Sequence, residues 1–367
     1  MKYLQSQNEL EAIAMDAVRD LLRCLPAAGV TPVAELRRPD HAPQADGLIR
    51  VHYGGAARLL VIGVKAHGAP RFVRSAMYEL ESCVARIKQY PAHATEQVVP
   101  MLVCPYISPE SRAICRDHDV AYLDLEGNAR LVFDGVYIER SVPTKPKSET
   151  RTLRSVFTPK ASAILRALLR EPDRPWLVTD LAASANASLG HVSNVCKALL
   201  EREWVDRRHD GIVLTRPDAL IRTWRENYLR PRSDRFDAYT HLHGRQFDDL
   251  VRGGLNARPG SPRAVYALAS AAQWIAPFSR DATRSFYADP AGAQVLRDRL
   301  ELRPSGSGPN VVVHAISDES IFDDAVEPLP GLFCTCPIVT YLDLWCGNDR
   351  EREAADHLAR ETLPWIA

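Results

Sequence analysis

Several common classes of protein are excluded by what the sequence lacks. No apolar run approaches the roughly 20 residues that a membrane helix needs, and the opening stretch, MKYLQSQNELEA, lacks the basic-then-apolar order of a secretion signal. The eight cysteines are scattered, and the closest pair, Cys334 and Cys336, is C-x-C rather than C-x-x-C. That spacing argues against a zinc ribbon, a thioredoxin motif and a disulfide scaffold. We therefore expect a cytoplasmic protein without membrane contact, metal or cofactor.

The chain also lacks a net charge, since 46 basic residues balance 46 acidic ones. The charges are unevenly distributed, however. Residues 151–232 contain 15 Lys and Arg against 9 Asp and Glu, whereas residues 233–367 contain 13 against 19. A basic middle beside an acidic end is typical of a DNA-binding module joined to a module of another kind, although ordinary solvated surfaces carry charge as well.

A chain of 367 residues is longer than one ordinary hydrophobic core supports, so two or three domains are expected. Residues 141–150, SVPTKPKSET, contain two prolines and no apolar periodicity, which is typical of a linker. A second, less distinct domain boundary is expected at 227–235, where the sequence NYLRPRSDR interrupts a helical pattern. The sequence therefore predicts domains at 1–142, 150–220 and 221–367.

The first domain is predicted to be α/β. Apolar residues at helical spacing in 8–25 and 70–90 predict two helices, and a short helix should follow Ser108. Period-two and apolar runs predict strands at 46–53, 57–66, 98–106, 120–125 and 129–139. The order of one helix, three strands, a helix and a strand is that of the restriction-endonuclease-like core.

That core has a known nuclease pattern, which this sequence carries only in part. The pattern places an acid on the second strand and an acid-x-Lys on the third, where carboxylates hold Mg²⁺ and the lysine stabilises charge on the phosphate. Asp46 and Lys65 match, but Gly63 stands where the second acid belongs. We expect a degenerate domain in which Asp46 ends a strand and Lys65 is a surface residue. A Mg²⁺-dependent nuclease using this pair is the enzymatic alternative.

The middle domain is predicted to be a winged helix-turn-helix. Thr158 and Pro159 suit the start of a first helix, Thr179 or Asp180 would cap a second, and Ser188 would cap a third. Strands at 205–208 and 212–215, joined by a turn at Asp210-Gly211, would form the wing. The residues of the third helix expected to face inward are Leu189, Val192, Val195, Cys196 and Leu199.

The outward residues of this domain are the candidate DNA contacts. On the third helix, which would enter the major groove, they are Ser188, Gly190, His191, Ser193, Asn194 and Lys197. Asn194 suits an adenine edge, and Gly190 would let the backbone approach closely. Arg151, Arg154, Arg207 and Arg208, together with His209 at the wing tip, suit phosphates or the minor groove. Winged helices also bind proteins, so a protein-interaction scaffold is the second alternative.

The third domain is predicted to be α/β or α+β, with no catalytic triad, phosphate loop or metal-ligand spacing. A helix is expected at 266–276, a buried strand at 311–317 and an amphipathic helix over the last residues. Residues 336–345 are apolar throughout, and Asp343 is expected at the end of a packed strand rather than in a catalytic site.

Several motifs resemble the longer members of the AbiEi-type antitoxins, which are transcriptional regulators of type IV toxin–antitoxin systems. These motifs are LVCPYIS at 102–108, YLDLEGN at 122–128, FDGVYIE at 133–139, SLGHVSNVCKALLEREW at 188–204, TYLDLW at 340–345 and REREAADHL at 350–358. The resemblance implies a repressor that binds double-stranded DNA at its own promoter and offsets a nucleotidyltransferase toxin. Longer members tend to keep the acid-x-Lys, from which Gly63 departs. The sequence leaves the oligomeric state open.

Overall fold

In a computed structural model, the chain is a mixed α/β protein with two seven-stranded sheets. The structure describes residues 7–26, 29–32, 45–90, 96–143, 145–278, 282–305 and 308–366. It divides into two compact units, one of residues 1–150 with 200–203 and one of residues 151–199 with 204–367. Within the described ranges, every helix is too short or too polar to span a bilayer.

The elements of the first unit begin with a helix and three strands, which is the predicted order, although the predicted strand positions did not include the first of these strands. In chain order they are α1 (Gln7–Leu22), β1 (Gly29–Pro32), β2 (Gly47–Tyr53), β3 (Ala56–Val64), α2 (Pro70–Ile87), β4 (Gln97–Cys104), α3 (Pro109–Asp117), β5 (Ala121–Asp124), β6 (Ala129–Phe133) and β7 (Val136–Arg140). The predicted strand at 129–139 is in fact two strands, because Gly135 adopts a φ of 77° and turns the chain between them.

The first sheet has the strand order β1-β2-β3-β4-β5-β6-β7. β3, β4 and β5 run parallel, and the remaining neighbours are antiparallel. Apolar side chains cover both faces of this sheet. One face packs against α1 through Leu10, Ala14 and Val18, and the other packs against α2 and α3. The interior strand β3 is therefore almost entirely buried, which explains its continuous apolar run.

The YLDLEGN motif is a structural turn built on Asp124, which is 1% exposed. Its carboxylate accepts hydrogen bonds from the backbone N–H groups of Ile107 at 3.1 Å, Glu126 at 3.1 Å and Asn128 at 2.9 Å. The side-chain amide of Asn128 donates a fourth at 2.8 Å. A buried carboxylate with four donors is fully satisfied, so Asp124 holds the ends of two strands in place and is not a free acid.

Helix α4 (Lys147–Val156) occupies part of the predicted linker at 141–150. The linker prediction was wrong for its second half because the apolar anchors of this helix, Leu153 and Val156, lie beyond that window. The second unit then contains α5 (Pro159–Arg170), α6 (Val178–Ser184), α7 (Leu189–Glu201), β8 (Val205–Arg208), β9 (Gly211–Leu214) and α8 (Pro217–Asn227).

The rest of the second unit surrounds the second sheet. Its elements are β10 (Ser233–Tyr239), α9 (Gly244–Gly254), β11 (Ala264–Tyr266), α10 (Leu268–Ile275), β12 (Arg284–Ala288), α11 (Pro290–Arg299), β13 (Arg303–Pro304), β14 (Val311–Ile316), α12 (Ser320–Asp323), β15 (Val326–Leu329), β16 (Leu332–Cys334), α13 (Pro337–Trp345) and α14 (Asp349–Thr362). The strand order is β13-β10-β14-β12-β11-β16-β15. The β12–β14 and β11–β16 pairs are parallel, so this sheet is mixed as well.

Two predictions for this region need correction. Residues 336–345 form helix α13, with Pro337 at its first position, and not a strand. An apolar run buried on all sides has no periodicity that separates a strand from a helix. The predicted helix at 266–276 begins two residues later, because Tyr266 pairs with Phe286 in the sheet.

Candidate functional site

Helices α5, α6 and α7 are followed directly by the β8–β9 hairpin, and we call this stretch the 159–214 segment. Thr158 caps α5, since its Oγ1 accepts from the N–H of Ala161 at 3.3 Å. Ser188 caps α7 through the N–H of His191, also at 3.3 Å. The predicted cap of α6 is wrong: the helix begins after Leu177 without a side-chain cap, and Thr179 and Asp180 lie in its first turn.

Helix α7 has one buried face and one exposed face. Val192, Val195, Cys196 and Leu199 point into the core, as the helical spacing predicted. The exposed residues are Ser188, Leu189, Gly190, Ser193, Asn194 and Lys197. The prediction that Leu189 faces inward is wrong, because 54% of it is exposed. His191 is half-buried, and its Nε2 is shielded from solvent without a hydrogen-bond partner among the described residues.

The β8–β9 hairpin exposes a pair of arginines. Arg207 pairs with Ile212 and Arg208 with Gly211, so the two-residue turn is His209-Asp210, one residue earlier than predicted. Arg207, Arg208 and His209 are all exposed. Trp176 extends the hairpin, because its backbone exchanges two hydrogen bonds with Ile212 at 2.8 and 2.9 Å.

The other two predicted phosphate contacts, Arg151 and Arg154, belong to helix α4. Their side chains lie outside the described residues.

Helix α5 is anchored to the second-sheet part of its unit by a buried arginine. The Arg166 side chain, 4% exposed, donates from Nε to Asp324 Oδ2 at 2.6 Å. It also donates to the carbonyl of Ser320 at 2.7 Å and to Ser162 Oγ at 2.9 Å. Both charges of this pair are desolvated, so each depends on the other being present.

In the first unit, Asp46 and Lys65 lie at the ends of neighbouring strands. Asp46 Oδ2 accepts from the N–H of Val64 at 2.6 Å. Burial raises the pKa of the Asp46 carboxyl, and this hydrogen bond opposes the rise; Glu11 and Glu79 are near enough to raise the pKa further, and Lys65 to lower it. Asp46 therefore lies directly before the first residue of β2, as expected for a strand-end residue, and it is close to other charged groups.

Glu79 of α2 completes this cluster and was not predicted. Its Oε2 forms an ion pair with Lys65 Nζ at 2.5 Å. Gly63 lies where the nuclease pattern requires an acid, and a Cβ there would be 3.3 Å from Leu80 Cδ2. An acidic side chain at position 63 would therefore press against α2. Glu79, which precedes Leu80 on α2, instead supplies a carboxylate to Lys65 from the helix.

Two carboxylates and a lysine are fewer groups than an all-protein metal site needs. Among the residues that the structure describes, no group of three or more His, Cys, Asp or Glu side chains is placed to hold a metal ion. Mg²⁺ commonly keeps several waters and binds through one or two carboxylates plus substrate phosphates. Asp46 and Glu79 fit that second arrangement as donor types.

A third group of polar residues surrounds the buried Asp343 of α13. Tyr228 donates its hydroxyl to Asp343 Oδ1 at 3.0 Å, and Arg230 donates to the Asp343 carbonyl at 2.7 Å. Tyr287 also faces the carboxyl, but within the described ranges Asp343 Oδ2 has no partner with hydrogen-bond geometry. Burial raises the pKa of Asp343 to about 7, while the two tyrosine hydroxyls and Arg230 oppose the rise. Because this carboxyl is fully buried, we assign it to packing.

Two residues of these sites were missed because the sequence carries weak signals for them. Glu79 has the ordinary appearance of a polar position on an amphipathic helix, and only its distance from Lys65 distinguishes it. Leu189 matches the apolar stripe of α7 by residue type, although the first turn of a helix often extends beyond the core that it packs on.

The chain matches none of the protein-family models with which it was compared, and a search among curated proteins finds no significant relative. The resemblance drawn from its motifs therefore stays a prediction.

Proposed function

We propose that this chain is a sequence-specific DNA-binding transcriptional regulator, acting in the cytoplasm through a winged helix-turn-helix at 159–214. The observation that carries the proposal is the exposed polar face of α7 followed by an exposed arginine pair on the hairpin. Three helices, the last capped by Ser188, and a two-stranded hairpin stand in the order of that module.

The proposed roles follow from the chemistry of the exposed side chains. A recognition helix presents its N-terminal half to base edges in the major groove. Asn194 can bind an adenine edge through two hydrogen bonds, and Ser193 can bond to any base. Lys197, Arg207 and Arg208 supply positive charge for phosphates, which gives affinity that falls with salt. His191, being half-buried, is better suited to positioning α7 than to contacting a base.

The finer proposal is that the regulator is the antitoxin of a type IV system and represses its own promoter. It is supported by the motif resemblance, and the α-β-β-β-α-β order at the start of the first unit is the order expected for the long form of that group. The partner toxin would be a nucleotidyltransferase, which the antitoxin need not contact directly.

Binding to DNA from upstream of the gene tests the main proposal. We would titrate that fragment and an unrelated one of equal length, at two salt concentrations, and follow mobility in a gel. The wild type should prefer the upstream fragment, and Asn194→Ala with Lys197→Ala should lose the preference. Arg350→Ala, which removes an exposed charge on α14, should retain it. Equal binding of both fragments by the wild type would reject a sequence-reading regulator.

We propose metal-dependent cleavage of a nucleic-acid phosphodiester as a second candidate function because Glu79 restores a second carboxylate beside Lys65. Asp46 and Glu79 would hold Mg²⁺, which polarises the phosphate. Lys65 would stabilise the negative charge as water attacks phosphorus and the ester oxygen leaves.

Cleavage of supercoiled plasmid with Mg²⁺ or Mn²⁺ tests this candidate. Nicking should occur with the wild type, disappear in Glu79→Gln and persist in Glu81→Gln, a matched change at an exposed position of the same helix. An inactive wild type, or equal nicking by all three proteins, would remove the nuclease and leave the regulator unaffected.

A further inference from the structure

Leu189 is the first residue of α7, and 54% of it is exposed to solvent. The residues on both sides of it, Ser188 and Gly190, are exposed as well. Apart from its two chain neighbours and the backbone of α7 itself, no described atom lies within 4 Å of the position that a Cβ on Gly190 would take, so this end of the helix is open on that side. A large apolar side chain is thus exposed to solvent at the N-terminus of α7, the helix that is proposed to enter the major groove.

The direction of Leu189 follows from helical geometry. Residues four apart lie on one side of a helix, so Leu189, Ser193 and Lys197 form one line along α7. All three are exposed, but Val192 and Cys196, three and seven positions after Leu189, are buried, so Leu189 lies at the border between the exposed and the buried side of the helix. Because 54% of it is exposed, Leu189 forms the apolar edge of the polar face that is proposed to contact DNA.

The major groove offers one apolar group to such a side chain. Each base pair displays hydrogen-bond donors and acceptors there, and thymine adds its C5-methyl group. Bringing a leucine against that methyl removes apolar surface of both from water, which is favourable in proportion to the area buried. Against a cytosine or purine edge, the same leucine would cover a polar group without a bond to replace water.

We infer that Leu189 is a specificity-determining residue that selects a thymine in the major groove through its methyl group. The inference rests on the proposed DNA-binding function and adds one residue and one base to it. The exposed cations Lys197, Arg207 and Arg208 of the same segment supply the electrostatic attraction to the duplex.

Uracil in place of thymine tests the contact, because it removes the methyl and leaves every hydrogen-bonding group in place. The upstream fragment is prepared by amplification with dTTP or with dUTP, and binding of both forms is measured by fluorescence anisotropy. Removing one buried methyl should weaken binding of the wild type about fourfold. Leu189→Ala should bind the two forms with nearly equal affinity, because it no longer contacts the methyl.

Leu177→Ala serves as the matched control, since Leu177 is 53% exposed but lies outside α7. It should keep the wild-type preference for thymine DNA. The inference is overturned if the wild type ignores the substitution, if Leu189→Ala keeps the same preference, or if Leu177→Ala abolishes it. A wild type without preference for the upstream fragment in either form overturns the proposed function, and this inference with it.

Discussion

At the scale of single residues, the buried Asp343 and the half-buried His314 of the second unit have pKa values shifted in opposite directions. Burial raises the pKa of Asp343 to about 7. Burial also lowers the pKa of His314 to about 4, and the neighbouring Arg235 and Arg230 lower it further. The folded protein therefore binds more protons than the unfolded chain at Asp343 and fewer at His314, within much the same pH range.

The direction in which Asp343 makes stability depend on pH can be tested with Asp343→Asn. Stability from a raised carboxyl pKa is present at low pH and is lost as the pH rises towards about 7, because a charge must then be buried. The asparagine carries no such charge. The free energy of unfolding of Asp343→Asn minus that of the wild type should increase from pH 4 to 7 and stay constant above. Urea denaturation at several pH values measures it, and a difference independent of pH would contradict the assignment.

A matched variant tests His314 in the other direction. A lowered histidine pKa destabilises the fold as the pH falls below the unfolded value near 6.5. His314→Gln should therefore gain stability relative to the wild type as the pH falls from about 6.5 to 4. A gain that instead grows with rising pH would show that His314 is charged in the folded protein.

Two glycines in the 159–214 segment have different reasons to be glycine. Gly211 has a φ of 146°, and a Cβ there would lie 2.7 Å from the Trp176 carbonyl oxygen. Gly211→Ala should therefore destabilise the protein by about 1–3 kcal/mol or more. Gly190 has open space around it, so Gly190→Ala should stabilise α7 by up to about 1 kcal/mol while holding the helix further from DNA. Urea denaturation measures the stability of each variant, and DNA titration measures its affinity for DNA. Equal stability of Gly211→Ala and Gly190→Ala would contradict this explanation.

At the scale of elements, the sequence predicted best where local patterns determine the structure. Caps at Thr158 and Ser188, and the hairpin strands that carry Arg207, follow from short-range signals and lie within a residue or two of their predicted positions. Strand β3 was likewise recognisable from its apolar run.

The rest depends on interactions between segments far apart in the chain, which no local pattern encodes. Whether 336–345 is a helix depends on burial from all sides, and whether Leu189 is inside depends on where the core beneath α7 ends. The Lys65–Glu79 pair joins the end of a strand to a helix across 14 positions. Its partner Asp46 comes from a third element, so the cluster appears only once the sheet and α2 are packed together.

The hairpin arginines have a signature in the salt dependence of DNA binding. Removing one side chain that binds a phosphate lowers the slope of log affinity against log salt concentration by about 1. Arg207→Ala with Arg208→Ala should therefore bind all DNA more weakly, with a slope smaller by about 2 and an unchanged preference for the upstream fragment. Titrations at four salt concentrations measure the slope, with Arg350→Ala as the control. Weaker binding with the original slope would show that these arginines act on folding and not on phosphates.

At the scale of the whole molecule, each of the two seven-stranded sheets has its own core, and the 159–214 segment, apart from residues 200–203, shares its unit with the second sheet. Arg166 and Asp324 link the two parts of that unit through side chains that are 4% and 12% exposed. In the part of the chain that the structure describes, Asp324 Oδ1 has no hydrogen-bond partner, so the carboxylate depends on the guanidinium for its compensation.

Removing the charge of Arg166 alone should therefore lower the free energy of unfolding more than replacing both Arg166 and Asp324 with apolar residues. Arg166→Met leaves Asp324 buried without a counter-charge, which typically destabilises by about 3–5 kcal/mol. The double variant Arg166→Met with Asp324→Leu replaces the pair by apolar groups and should recover much of that stability. Urea denaturation followed by tryptophan fluorescence measures each variant and Asp324→Leu alone. If the two single effects simply add in the double variant, the two charges do not interact, and the attachment of α5 to the second sheet does not depend on their pairing.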